Sequence, residues 1–265
     1  MLREWAAGLG LNRSPDAFIF HVSRCGSTLL CQLLALQESY MVLSEVPFFD
    51  ELLRQPFKNL PVDSRTAVTN FDTALQFYVN SSPGLPQKIF IKTDSWHLYF
   101  YEQLRAIYPK VPFKLLYRDP WEVLQSQQKR HGMYPVPGII EPSVIKFTAA
   151  QAATYDLDKY MALVLHSYFE KMIGMAAADD HSQLFNYNAG AVVAMHKIAS
   201  ATGIDIDKNY ERIILERAGY HAKYPGEVFK EERIDNTAPD FLNPTSFAYD
   251  NKGYKGLGQS ATGAF

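Results

Sequence analysis

The sequence predicts an α/β fold: a P-loop-type three-layer sandwich with a central parallel sheet of about five strands flanked by helices. Three observations carry that expectation. Short apolar runs of strand length recur along the chain, stretches with helical spacing of apolar residues lie between them, and a Gly/Ser/Thr-rich turn follows the first run directly. Strand and helix in alternation imply a parallel sheet with both faces covered.

The first strand is expected over Ala17 to Val22 (AFIFHV), followed by an amphipathic helix over Thr28 to Leu36. A weaker second strand, Tyr40 to Leu43 (YMVL), precedes a helix over Val62 to Val79, and Lys88 to Ile91 (KIFI) gives the third strand. Helical spacing resumes over Trp96 to Ile107, and Pro112 to Tyr117 (PFKLLY) is the fourth strand. Asp119 is a natural N-cap and Pro120 a natural first helical residue, so a helix is expected over Pro120 to Gln128. Ile145 to Ala178 reads as one or two helices, Gln183 to Tyr187 (QLFNY) as the fifth strand, and Gly190 to Ala201 and Tyr210 to Ala218 as the last helices. Pro135, Pro137, Gly138 and Pro142 mark a surface loop placed to act as a lid. From about residue 224, Pro, Gly, Asn and Asp predict a loop-rich segment. With neither repeat nor linker visible, residues 1–265 read as a single domain.

A chain of 265 residues with 47% hydrophobic and 14% aromatic content can bury roughly three quarters of its unfolded surface. Lys plus Arg is 26 and Asp plus Glu is 28, a formal charge of −2 with no run of one sign. Duplex nucleic acid needs a clustered cationic surface and is not an expected partner. No run approaches the roughly 20 apolar residues that span a bilayer, and no signal-peptide core precedes Asn12 and Arg13, so a cytoplasmic location without a membrane span is expected. Cys25 and Cys31 suit free thiols better than a bridge. The seven histidines form no HExxH or Cys/His cluster, so no metal is expected.

In an open parallel sheet, ligands sit beyond the carboxyl ends of the strands. The residues just past those ends are Ser23 to Thr28, Ser44 with Glu45, Lys92 with Asp94, and Arg118 with Asp119. Ser23-Arg24-Cys25-Gly26-Ser27-Thr28 joins a buried strand to a helix start, where several backbone N–H groups and the positive helix end face one point. The nucleoside-triphosphate loop G-x-x-x-x-G-K-[ST] would need Gly where His21 stands and Lys where Ser27 stands. Without that Lys the loop suits a ligand with one phosphate at this point. A Cys-x5-Arg phosphatase loop fails too, because Cys31 occupies the Arg position. The bland alternative is a helix N-capped by Ser or Thr with no ligand at all. Further on, Arg118 ends a strand and Ser126 lies two turns into the next helix, a fork and a hydroxyl suited to a second phosphate.

FIFHVSRCGSTLL resembles the 5′-phosphosulfate loop of sulfotransferases that use 3′-phosphoadenosine 5′-phosphosulfate (PAPS). LLYRDPWEVLQS resembles their 3′-phosphate motif, including the eight-residue step from Arg118 to Ser126. The resemblance covers about Ala17 to Arg130 and resumes more weakly at QLFNYNAGAVVAMHKIASATGI. It implies PAPS as donor, 3′,5′-ADP as product, no metal, and a small-molecule or glycan acceptor offering a hydroxyl or amine. By the same resemblance Ser23, Arg24, Cys25, Gly26, Ser27 and Thr28 form the 5′ cradle, Arg118 and Ser126 hold the 3′-phosphate, and Tyr187 lies near adenine. Lys92 falls where the family places a Lys on the leaving oxygen. Leu29 departs from the adenine-stacking Trp of cytosolic members, and Lys252 to Gly256 only faintly resembles their basic Gly-rich cofactor loop.

The base is divided within the family. Cytosolic members use a His two residues after the Lys, where this chain has Asp94, with His97 the nearest imidazole. Tyrosylprotein-type members use a Glu after the second strand, and Glu45, 21 residues beyond Arg24, matches that spacing. Apolar Val46, Pro47 and Phe48 beside it lead us to expect a raised Glu45 pKa, with Glu45 the first choice of base, Asp94 the second and His97 the third. Asp94 has a structural alternative as a helix cap. Cys25, at a helix start in an anion loop, is expected to favour its thiolate. Two other functions compete: a P-loop nucleotide or small-molecule kinase, and a non-catalytic nucleotide-binding relative.

Overall fold

Five strands lie parallel in one sheet among the described residues, in the order β2-β3-β1-β4-β5. They are β1 (Ala17–His21), β2 (Tyr40–Ser44), β3 (Lys88–Lys92), β4 (Phe113–Tyr117) and β5 (Ser182–Asn186). The structure, a computed structural model, describes residues 4, 8, 12–58, 60–129, 136–153, 155–220, 222 and 237–243. Pairing Ser44 with Lys92, His21 with Leu116 and Tyr117 with Asn186 brings the carboxyl ends level along one edge. β1 is central and wholly buried, so whatever follows it stands in the middle of that edge.

The connecting helices are α1 (Ser27–Leu34), α2 (Pro47–Arg54), α3 (Ser64–Asn80), α4 (Tyr101–Ile107), α5 (Pro120–Lys129), α6 (Pro142–Ile145), α7 (Ala149–Ala152), α8 (Leu157–Ala178), α9 (Ala191–Thr202) and α10 (Lys208–Ala218). They flank the sheet to make the expected three-layer sandwich: α1, α9 and α10 pack together, α3 packs on α2 and α4, and α5 packs on α8. Aromatic rings fill the core under β1. Phe18 meets Phe113 at 5.1 Å, Tyr108 at 5.3 Å and Phe71 of α3 at 6.2 Å between centroids, distances at which offset and edge contacts are favourable.

Several boundaries differ from the sequence expectation, each for a local reason. α2 and a 3₁₀ turn (Gln55–Phe57) occupy a stretch assigned no element; Pro47 is a normal first helical residue there. Trp96 to Ile107 is a 3₁₀ turn (Ser95–Phe100) running into α4. Ile145 to Ala178 breaks twice, because Lys146 turns left-handed at φ 61°, Thr148 opens α7 with a capping box, and Asp156 caps α8. Of the expected lid, residues 130–135 lie outside the described residues. Residues 136–141 are held by Arg54, which donates to the Ile139 carbonyl and pairs with Glu141 through Nε and Nη2 at 2.9 and 3.0 Å. Most of the segment from residue 224 also lies outside them. Residues 240–242 form a 3₁₀ turn packed on α8, with Leu242 fully buried. Among the described residues, no helix is long and apolar enough to cross a membrane.

Candidate functional site

The turn after β1 contains three left-handed residues in four: Ser23 at φ 70°, Arg24 at φ 49° and Gly26 at φ 74°. Gly adopts that region freely, but Ser and Arg are held there at about 1–3 kcal/mol each, strain typical of functional turns. Gly26 is the N-cap of α1 and offers no side chain, and α1 has no acidic residue in its first turn. Gly26 therefore supplies no side-chain cap, and a helix N-capped by Ser or Thr does not describe this one. Its first N–H groups and positive end face the space before the loop, the arrangement that binds anions.

Tyr187, the residue after β5, closes the loop from one side. A Cβ on Gly26 would come within 1.8 Å of its Cε2, so the ring rests directly on the glycine. The Arg118 guanidinium lies 5.7 Å from the centre of the same ring, within cation–π range. Arg118 also donates from Nε to Glu122 at 2.6 Å. Asp119 caps α5 as expected, accepting from the Trp121 and Glu122 amides at 2.9 and 3.2 Å, and Ser126 is half-buried on that helix. Gly26, Tyr187 and Arg118 are thus brought together, with Ser126 on the element that Arg118 opens.

On the other side of the loop, Lys92 ends β3 with its Nζ 2.9 Å from Glu45 Oε1 and 3.4 Å from Thr28 Oγ1. The Glu45 carboxylate also meets the buried His21 imidazole, Oε1 to Nε2, at 3.1 Å. Burial alone would raise the Glu45 pKa, but the hydrogen bonds from His21 and Lys92, with the Lys92 charge, outweigh it and hold the group well below the usual carboxylate range. The expected elevation at Glu45 is therefore corrected: its apolar neighbours matter less than the two nitrogens on its oxygen.

Asp94 behaves in the opposite way. Burial, with the Asp50 and Glu45 charges adding to it and His97 and Lys92 opposing, raises its pKa to about 6. It stands at the N-cap of the 3₁₀ turn yet makes no side-chain cap bond, so the structural alternative is not realised. His97 Nε2 lies 3.7 Å from Asp94 Oδ2 and 3.1 Å from Asp50 Oδ1. Asp50 further accepts from Trp96 Nε1 at 2.6 Å and from Arg54 Nη1 at 2.9 Å. Burial raises its pKa, but these donors outweigh it and bring it down to about 2. Asp50, Asp94 and His97 bring their donor atoms within 4.8 Å of one another. Because N–H donors already fill both Asp50 oxygens, we read the group as hydrogen-bonded and not as a cation site.

No protein-family model and no curated protein matches the chain.

His21 and Asp50 join the site without having been singled out for it. His21 stood out in the sequence only as the residue replacing a loop glycine. Asp50 was hidden because α2 was not foreseen. Cys25 needs a further correction. Its thiol is fully buried, donating to the Leu116 carbonyl at 3.4 Å, and burial pushes its pKa up to about 11 in spite of nearby amides and Lys92. The helix end acts through the Cys25 backbone, since the side chain points into the core. Cys25 and Cys31 should therefore resist iodoacetamide in the native protein, with or without 3′,5′-ADP, by mass spectrometry; rapid labelling of Cys25 would contradict this burial.

Proposed function

We propose that the protein is a PAPS-dependent sulfotransferase acting on a hydroxyl or amine of a small-molecule or glycan acceptor. The observation that carries this reading is a helix N-terminus with glycine at its cap behind a left-handed loop, with Ser27 in place of a triphosphate-binding Lys, beside a buried Lys92. PAPS would supply a sulfuryl group on a good leaving group. The loop suits such a ligand: Gly26 carries no Cβ and so lets the Tyr187 ring pack on the turn, and the start of α1 behind it has no acidic residue to repel an anion.

In this reading the backbone from Ser23 to Thr28, with Arg24, Ser27 and Thr28 side chains, holds the 5′ end. Arg118 and Ser126 take the 3′-phosphate, and Tyr187 borders the base. Lys92 supplies positive charge at the loop, held by Thr28 and Glu45. Asp94 accepts the acceptor's proton, a task for which a pKa of about 6 is well matched. Glu45 then serves to hold Lys92, and His97 steadies Asp94. This moves the base from Glu45 to Asp94.

Saturating 3′,5′-ADP, at 100 times its dissociation constant, should stabilise the fold by about 2.7 kcal/mol in a thermal or denaturant melt, with EDTA making no difference. Stabilisation by ATP with Mg²⁺ and not by 3′,5′-ADP would replace this reading with the kinase. Arg118→Ala should weaken 3′,5′-ADP by about 1.5–3 kcal/mol while sparing adenosine 5′-phosphosulfate, which lacks the 3′-phosphate. Equal losses for both ligands in calorimetry would make Arg118 structural.

A further inference from the structure

His21 is 2% exposed at the end of β1, and its ring contacts residues that follow β1, β2 and β3. Nδ1 receives the Ser23 backbone N–H at 3.1 Å and faces Ser95 Oγ at 3.2 Å. Nε2 lies 2.9 Å from the Thr93 carbonyl and 3.1 Å from Glu45 Oε1. A backbone N–H can only donate and a carbonyl can only accept, so these partners fix one tautomer: Nδ1 is bare and Nε2 carries the hydrogen. A second proton on Nδ1 would point at the Ser23 N–H. Burial, reinforced by the Lys92 charge and only partly offset by Glu45, lowers the ring's pKa and agrees with the neutral form.

The two groups that His21 grips belong to strained residues. Ser23, at φ 70°, receives its amide's acceptor from Nδ1, and Glu45, at φ 47°, has its carboxylate held from Nε2. The Nδ1 contact closes a turn from residue 21 to the amide of residue 23, the bond an Asx turn would make with a side-chain oxygen. The titratable and charged groups around the ring are Glu45 and Lys92. Ser95, from the 3₁₀ turn, and Thr93 complete its surroundings.

We propose that His21 is a positioning residue, a neutral imidazole whose Nδ1 sets the shape of the anion loop and whose Nε2–H sets the Glu45–Lys92 pair. It touches neither ligand. As a positioning role at the proposed sulfuryl-transfer site, it rests on that reading, but its two halves separate by substitution. Asn at position 21 can return the Nδ1 acceptor but is too short to reach Glu45, whereas Gln can reach Glu45 with its amide and leaves the Ser23 N–H without its partner.

Wild type, His21→Asn and His21→Gln are compared by calorimetry with 3′,5′-ADP. His21→Asn should bind within about threefold of wild type, and His21→Gln at least tenfold more weakly. Equal losses, or the reverse order, would overturn the proposal. If wild type itself ignores 3′,5′-ADP, the sulfotransferase reading fails, and the same three proteins are ranked with inorganic pyrophosphate, which asks only for the anion loop. The expected order and the overturning results are unchanged there, and no pyrophosphate binding by wild type would overturn the proposal as well. Nitrogen-15 NMR of the wild-type ring adds a readout that survives a failure of either variant to fold. At pH 7 the ring should be the neutral Nε2–H tautomer, and a ring that is doubly protonated there, or carries its proton on Nδ1, would overturn the assignment.

Discussion

Asp94→Asn is expected to slow the chemical step by roughly 10²–10⁴ while leaving 3′,5′-ADP affinity unchanged, the usual worth of general-base catalysis. Glu45→Gln should slow it less, because it loosens Lys92 without removing the proton acceptor. The pH profile should rise through about 6, where Asp94 loses its proton, and flatten above. Stability supplies an independent check. A carboxyl whose folded pKa is raised favours the protonated fold, so its ionisation destabilises the protein increasingly as pH climbs from the unfolded value of 3.8 through about 6. Asp94→Asn should therefore stabilise the protein at pH 7.5, by an amount on the order of 2 kcal/mol, and do nothing near pH 3. Glu45 has the reverse sign: its lowered pKa contributes stability above the ordinary carboxylate range that is lost on acidification, and Glu45→Gln should destabilise at neutral pH. Near-normal turnover in Asp94→Asn with abolished turnover in Glu45→Gln would return the base to Glu45.

Gly26→Ala should do comparable damage on the binding side. A Cβ at φ 74° is unfavourable by about 1–2 kcal/mol, and it would overlap the Tyr187 ring at 1.8 Å, so ring or loop must move. Forced overpacking adds roughly 1–3 kcal/mol. A thermal melt should show most of that loss, and 3′,5′-ADP affinity should fall by about a hundredfold or more as the loop amides are displaced. Pairing the change with Tyr187→Ala removes the overlap but not the backbone strain, so the double variant should recover part of the stability. Native affinity in Gly26→Ala would mean that this loop is not the anion site.

The sheet was legible because its strands are nearly uninterrupted apolar runs, and five such runs with helices between them leave little else to build. β1 and β4 were placed to within one residue at either end. The helices were less legible where capping residues lie inside an apolar pattern, as Thr148 and Asp156 do, since periodicity continues across the break. For the site, sequence order was enough to put the Ser23–Thr28 loop, Lys92, Glu45 and Asp94 on one edge. It could not rank the carboxylates. Glu45 has apolar chain neighbours, yet Lys92 and His21 reach it from β3 and β1; Asp94 sits beside a Ser, yet folding buries it near two other acids. Ionisation follows what arrives through space, and adjacency along the chain says little about that.

The left-handed turns at Ser23, Arg24 and Glu45 also bear on how this chain can change. None is a glycine, so each withholds stability that a more permissive residue would release. A thermostability screen blind to activity would favour Gly or Asn at positions 23 and 24, whereas at position 45 the loss of the carboxylate that pairs with Lys92 and His21 would offset the gain. Each gain at 23 or 24 would remove a side chain from the proposed anion loop. Heat resistance and ligand capture thus compete for the same two backbone positions, while the aromatic core around Phe18 and Phe113 offers stability that is free of that conflict.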